Sequence, residues 1–167
     1  GEPERAASFA RALTRERPGE TRTWIMLARV LNEPTDMPER LASAERSLAL
    51  DGRLTEAWDL KAQLLTVAER FDEAIQVCGE GAAVCSHEVY VLQGRHAWVE
   101  ARRRRFPEAV RLMRAVLAEN SSYAWGWSQL AEWLTEQKAL ADAAAALEQL
   151  LRLRPHDPWV NRQLGFL

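Results

Sequence analysis

Alanine or glycine stands at Ala28, Ala62, Ala97, Ala131 and Gly165, in steps of 34, 35, 34 and 34 residues. A second small-residue series, Ala74, Ala109 and Ala143, keeps the same steps and reaches back to Ala6. A chain that repeats itself at such a period is one supersecondary unit stacked many times. A period of this length fits two helices and two turns. Small residues at fixed places mark helix crossings, where backbones approach closely and larger neighbours fill the flanking grooves. Each hairpin leaves an apolar face that the next must cover. The pattern predicts an all-α protein, a right-handed α-α superhelix of about 4.5 helical hairpins.

The rest of the frame agrees. Trp24, Trp58 and Trp127 share one register, each followed on the same helical face by Leu27-Ala28, Lys61-Ala62 or Leu130-Ala131. A second helix opens at Met37, Phe71, Phe106 and Leu140, with packing positions at Ala44, Cys78, Met113 and Leu147. Pro18, Gly52, Ser121 and Pro155 stand where that second helix ends. Asp36 with Glu39 reads as a capping box. Asp157-Pro158 reads as a cap followed by proline at the first helical position, and Pro107 lies in a first turn that tolerates it. The one extra residue falls between Ala74 and Gln93, where Gly79 and Gly81 weaken helix, so a frayed end or a longer turn is expected there. The frame places ten helices near 3–16, 21–33, 37–50, 55–68, 71–84, 88–102, 106–119, 123–136, 140–153 and 157–166. The units are a second helix alone over 1–20, whole hairpins over 21–54, 55–88, 89–123 and 124–157, and a first helix alone over 158–167. The expectation is one array over 1–167, excerpted from a longer protein.

Tryptophan, then Leu-Ala or Leu-Gly, then aromatic-x-x-Ala, then proline resembles the tetratricopeptide repeat. Trp127, Leu130-Ala131, Ala143 and Pro155 carry the resemblance best, followed by Leu164-Gly165. Trp58, Ala62, Phe71 and Ala74 form another copy. Departures are Arg40 at a small position, Lys61 in place of Leu, and Gln93 and Asn161 in place of tryptophan. The run from Asn120 to Trp125 is also distantly similar to the helical repeats of protein prenyltransferase alpha subunits.

The tetratricopeptide resemblance implies a partner segment held in a concave groove lined by first helices. Carried over in frame, the groove positions are Arg22, Ile25, Met26, Arg29 and Gln63 in the first half of the chain. In the second half they are Arg95, Trp98, Arg102, Trp125, Gln129, Glu132, Trp159 and Arg162. Arginine and tryptophan dominate binding hot spots, and arginine forks suit carboxylates. The expected ligand is therefore a protein or peptide segment of acidic character. The lysine and asparagine that clamp a terminal carboxylate in chaperone-binding members are missing.

Composition narrows the rest. Basic and acidic residues nearly cancel, 22 against 24 for a net charge of −2, which disfavours nucleic acid and anionic membranes as partners. Arg102 to Arg105 is the densest basic run, read as a solvated turn at a helix C-terminus. No apolar run is long enough to span a bilayer. Among basic residues only Lys61 and Lys138 are lysine, a bias expected of a bacterial, GC-rich genome. Cys78 and Cys85 read as reduced thiols of a cytoplasmic protein. Their spacing with His87 and His96 does not match a zinc site. No phosphate loop, zinc-protease helix or nucleophile elbow is present, so neither catalytic residues nor a cofactor are expected. The competing reading is a helical module that positions the catalytic part of a larger enzyme. End-to-end self-association is a further expectation.

Overall fold

The computed structural model describes residues 1–166. They form ten α-helices and, among the described residues, no strand. The helices are α1 (Glu2–Glu16), α2 (Thr21–Val30), α3 (Met37–Leu50), α4 (Thr55–Val67) and α5 (Phe71–Val84), then α6 (Val89–Arg102), α7 (Phe106–Glu119), α8 (Ala124–Glu136), α9 (Leu140–Leu153) and α10 (Pro158–Phe166). The chain divides into two compact units, residues 1–95 and residues 96 onward, with the boundary inside α6.

In the first unit α1 packs on α2, α2 on α3, α3 on α4 and α4 on α5. Ile25, Ala28, Ala44, Ala57, Leu60 and Leu64 make its central core, and Ala10, Leu27 and Leu31 a second cluster under α1. In the second unit α7 packs on α8, α8 on α9 and α9 on α10. Met113, Leu117, Leu130, Trp133, Leu147 and Leu150 are buried there. The crossing residues Ala28, Ala62, Ala97 and Ala131 are buried, as are Ala74, Ala109 and Ala143. Ala6 and Gly165, in the same two registers, are exposed. Among the described residues nothing lies within 4 Å of a Cβ built on Gly165.

Each frame tryptophan donates its indole N–H to the preceding turn. Trp24 donates to the Pro18 carbonyl at 3.0 Å, Trp58 to Gly52 at 2.9 Å and Trp127 to Ser121 at 2.8 Å. The punctuation residues and the tryptophans are thus two halves of one contact, which ties each entry turn to the helix it feeds. Asp157 caps α10 as expected: the amides of Trp159 and Val160 donate to its Oδ1 at 2.9 and 3.4 Å.

The turns from first to second helices share one geometry. Glu69, Arg104 and Lys138 are left-handed, with φ of 59, 66 and 61°. The next amides, of Arg70, Arg105 and Ala139, donate to Leu65, Glu100 and Leu134 carbonyls at 2.9 Å, which is the Schellman closure. The first hairpin departs from this. There α2 stops at Val30, short of the expected residue 33, and a 3₁₀ turn, Pro34–Asp36, precedes α3. Arg40, at the position that is small elsewhere, donates from Nε to the Ala28 carbonyl at 2.9 Å. A long side chain at the crossing thus satisfies one of the carbonyls that a helix end leaves open.

Two local expectations are corrected. The Asp36–Glu39 capping box is not made: Asp36 accepts from the Glu33 amide at 3.2 Å, and Glu39 is taken by the guanidinium of Arg11 at 2.6 to 3.1 Å. Nor does α5 fray at its glycines, since it runs unbroken to Val84. Gly81 is buried, and a Cβ there would lie 2.7 Å from Cγ of Trp58 and 2.9 Å from Cδ1 of Leu92. Glycine serves close approach at that point. The extra residue enters after Glu88, whose φ of 53° has no counterpart in the other entry turns. Helix α6 then begins at Val89, four residues ahead of Gln93, whereas α4 and α8 begin three ahead of their tryptophans.

Candidate functional site

The first-helix face of the first unit carries α2, α4 and the start of α6. Ile25, expected in the groove, is instead buried in the core. Met26 is half-buried against the cluster of Ala10, Leu27 and Leu31. Arg22 and Gln63 are exposed. Arg29 reaches across to Glu56 on α4 at 2.8 Å. Arg95 forks onto Asp59 of α4, at 2.7 and 3.0 Å, with its side chain only 12% exposed. Successive first helices are therefore laced by ion pairs. Glu56 and Asp59 stand in the registers of Arg22 and Arg162, so the signal for them was present in the frame.

The first-helix face of the second unit is different. Trp98, Ala101, Arg102 and Arg104 from α6 and the turn after it, with Phe106 at the start of α7, oppose Gln129, Glu132, Trp133 and Glu136 of α8 across a recess of about 320 Å³. Arg102 places its Cζ 5.7 Å from the Trp98 ring centroid, a cation–π contact. Among the described residues it makes no ion pair. Arg104 lies 3.7 Å from Glu136, and Gln129 donates to Glu132 at 3.2 Å. The sequence frame thus brings Trp98, Arg102, Gln129 and Glu132 together. Trp159 lines a neighbouring recess with Glu132. Trp125 is half-buried, its ring 5.6 Å from that of Tyr123, and Arg162 is exposed on α10. Trp133, which the repeat frame left unassigned, is core.

The basic run is more than a solvated turn. Arg103 and Arg105 lie 3.9 and 3.7 Å from Glu100, which is buried and whose Oε2 has no hydrogen bond. Glu100 stands in the register of Leu31, Leu65 and Leu134, and His96 in that of Leu27 and Leu130. The α6 hairpin has therefore exchanged a leucine pair for an ionisable one, with His96 Nε2 4.0 Å from Glu100. Burial pushes the His96 pKa below its ordinary value.

Neither a metal centre nor a reactive thiol emerges. No cluster of three or more potential ligands occurs among the described residues. Cys78 and Cys85 are both buried and unlinked. Burial pushes the Cys78 thiol up to about 12, with Asp59 adding to the shift, so it packs rather than reacts. No described helix is long and apolar enough to cross a membrane.

Residues 101–162 match the family model for the tetratricopeptide repeat. A comparison with curated protein sequences finds no match. Among solved structures, the chain is similar to TTC0263, a thermophilic tetratricopeptide-repeat protein of Thermus thermophilus, at TM-score 0.81 and 16% identity, covering 98% of this chain and 89% of that one. It is similar to PilW, a type IV pilus biogenesis factor, at TM-score 0.74 and 14% identity, covering 98% and 79%. It is also similar to YrrB, described as having an unusual peptide-binding site, at TM-score 0.58 and 17% identity, covering 96% and 82%. At these identities the likeness establishes the fold.

Proposed function

We propose, from the match of residues 101–162 to the tetratricopeptide repeat and the fold shared with solved repeat proteins, that this chain is a non-catalytic protein-interaction scaffold that binds a partner segment on the first-helix face of its second unit. The observation that carries this reading is the contrast between its groove arginines. Arg29 and Arg95 are matched by Glu56 and Asp59. Arg102 lies against the face of Trp98, makes no ion pair among the described residues, and stands beside a recess walled by Trp98 and Trp133. A guanidinium braced on an aromatic face is held ready for a carboxylate, because stacking leaves its in-plane N–H donors available. A half-buried tryptophan and an arginine at the edge of a recess are also the residues on which binding energy concentrates. The partner thus presents an acidic residue to Arg102 and an apolar side chain to the recess.

The test is an array of short synthetic peptides, each pairing aspartate or glutamate with an adjacent aliphatic or aromatic residue, probed with the full chain. Binding is expected, and it should weaken at least about tenfold in Arg102→Glu while circular dichroism melting stays put, Arg102 being exposed. Binding that survives Arg102→Glu unchanged removes the carboxylate contact from this face. If no peptide binds, of whatever charge, the scaffold reading is wrong for short linear segments.

A further inference from the structure

A second recess in the same unit lies between α8 and α10, with a volume of about 160 Å³. The buried Ala131 and Leu147 lie at its base, Glu132, Thr135 and Glu136 come from α8, and Trp159 and Gln163 from α10. A cavity of about 150 Å³ holds a benzene molecule, so this one has room for a single side chain. Trp159 is 41% exposed, far more than its partners at the base.

The two recesses share the edge formed by Glu132 and Glu136, but their charges differ. The α6–α8 recess sets Arg102 and Arg104 against those two carboxylates and is balanced. The α8–α10 recess is lined by the same carboxylates and by no cation. Glu136 has Arg104 at 3.7 Å on its other side. Glu132 has the Gln129 amide at 3.2 Å and, among the described residues, no ion pair. The result is an apolar base beneath an anionic rim with a tryptophan alongside. An acidic occupant is repelled, and a purely aliphatic one leaves the carboxylates unanswered. A long basic side chain satisfies all three features, because its methylene stem lies on apolar surface while its charged head stays at the rim.

We infer that the α8–α10 recess is a pocket for a basic side chain of the partner segment, arginine in preference to lysine. Guanidinium can fork onto a carboxylate and stack on indole, which ammonium does less well. The inference rests on the scaffold reading and sharpens it: the partner is bipolar, with a carboxylate for Arg102 and a cation for Glu132 and Glu136. Packed helices lie about 8–10 Å apart, so an extended partner would carry its two charges about three residues apart.

The experiment uses one peptide background with arginine, lysine, citrulline or glutamate at a single position, titrated against the full chain. Trp159 is followed by its indole N–H resonance, assigned through Trp159→Phe. The arginine peptide should bind at least about tenfold more tightly than its citrulline isostere, shift the Trp159 resonance, and weaken as salt rises. The double variant Glu132→Gln, Glu136→Gln should lose that preference while its melting curve is unchanged, since both side chains are exposed. Equal binding of the arginine and citrulline peptides, or a preference that persists in the double variant, overturns the pocket but leaves the scaffold standing. Failure of every peptide overturns both.

Discussion

Arg95 forks onto Asp59 with side chains 12% and 20% exposed, whereas Arg29 meets Glu56 with 56% and 41% exposed. Removing one partner of a sheltered pair strands the other charge, and an exposed pair is worth little. Arg95→Ala should therefore cost about 2 kcal/mol, and Arg29→Ala less than about 0.5 kcal/mol, read from urea midpoints. Charge reversal at Arg95 would confound a binding assay with unfolding, so Arg102 is the informative groove variant. The repeat frame made these positions legible as a face. It did not show their pairing, because Arg95 and Asp59 are 36 residues apart and charge pairing is read from a sequence only within one helix turn. His96 gives a second test at this scale. Burial lowers its pKa from the ordinary 6.5, Arg111 acts in the same direction, and Glu100 and Glu108 oppose. The unfolded chain takes up a proton as pH falls through 6.5, while the folded chain refuses it until lower pH. Stability is thus present above that value and lost below it. His96→Leu, which restores the residue of Leu27 and Leu130, should flatten the fall in urea midpoint between about pH 7.5 and 5.5. An unchanged slope would assign the loss to other groups.

At the scale of the element, two glycines of α5 carry opposite consequences. Both weaken helix by intrinsic propensity, and on that ground alone the end of α5 should fray. The helix continues because its last turns are covered: Gly81 lies against Trp58 and Leu92, with no room for a methyl group. Gly79 faces open space, with nothing within 4 Å of a built Cβ. Gly79→Ala should stabilise by about 0.5–1 kcal/mol through the helix interior alone. Gly81→Ala should destabilise by about 1–3 kcal/mol, because the Trp58 ring must shift and its bond to the Gly52 carbonyl goes with it. Equal effects from both substitutions would contradict the close contact. Identical letters two residues apart differ only in what a neighbouring helix brings to them, and periodicity carries no information about that. What periodicity does carry is the element order. The helix boundaries were legible to within about one residue wherever the Schellman turn recurs, and failed at α2, where Arg40 occupies a crossing and the chain leaves by a 3₁₀ turn instead.

For the whole molecule, the small-residue series determines where a local defect should remain local. In stacked repeats each hairpin contacts only its neighbours, and stability sums over hairpins and interfaces. Ala131 is 2% exposed at the crossing of α8 with α9, and Leu147, 2% exposed, packs nearby. Placing an indole there forces the two helices apart, an overpacking that costs about 1–3 kcal/mol or more. Ala131→Trp should therefore abolish amide exchange protection in α8 and α9 first. If stability sums over neighbouring hairpins, the core of the first unit, around Ile25, Ala44 and Leu60, should keep its protection under mildly denaturing conditions. Amide exchange read by mass spectrometry on the full chain separates the outcomes. Loss confined to the second unit supports nearest-neighbour stacking. Simultaneous loss across α2 to α9 would mean that the chain unfolds as one cooperative body, and unchanged protection throughout would remove Ala131 from the crossing. The same independence explains why the sequence reveals its fold more readily than its ligand. Packing repeats at every hairpin and is written four times over, in Ala28, Ala62, Ala97 and Ala131. The Trp98–Arg102 contact and the Glu132–Trp159 recess each occur once, so no period announces them.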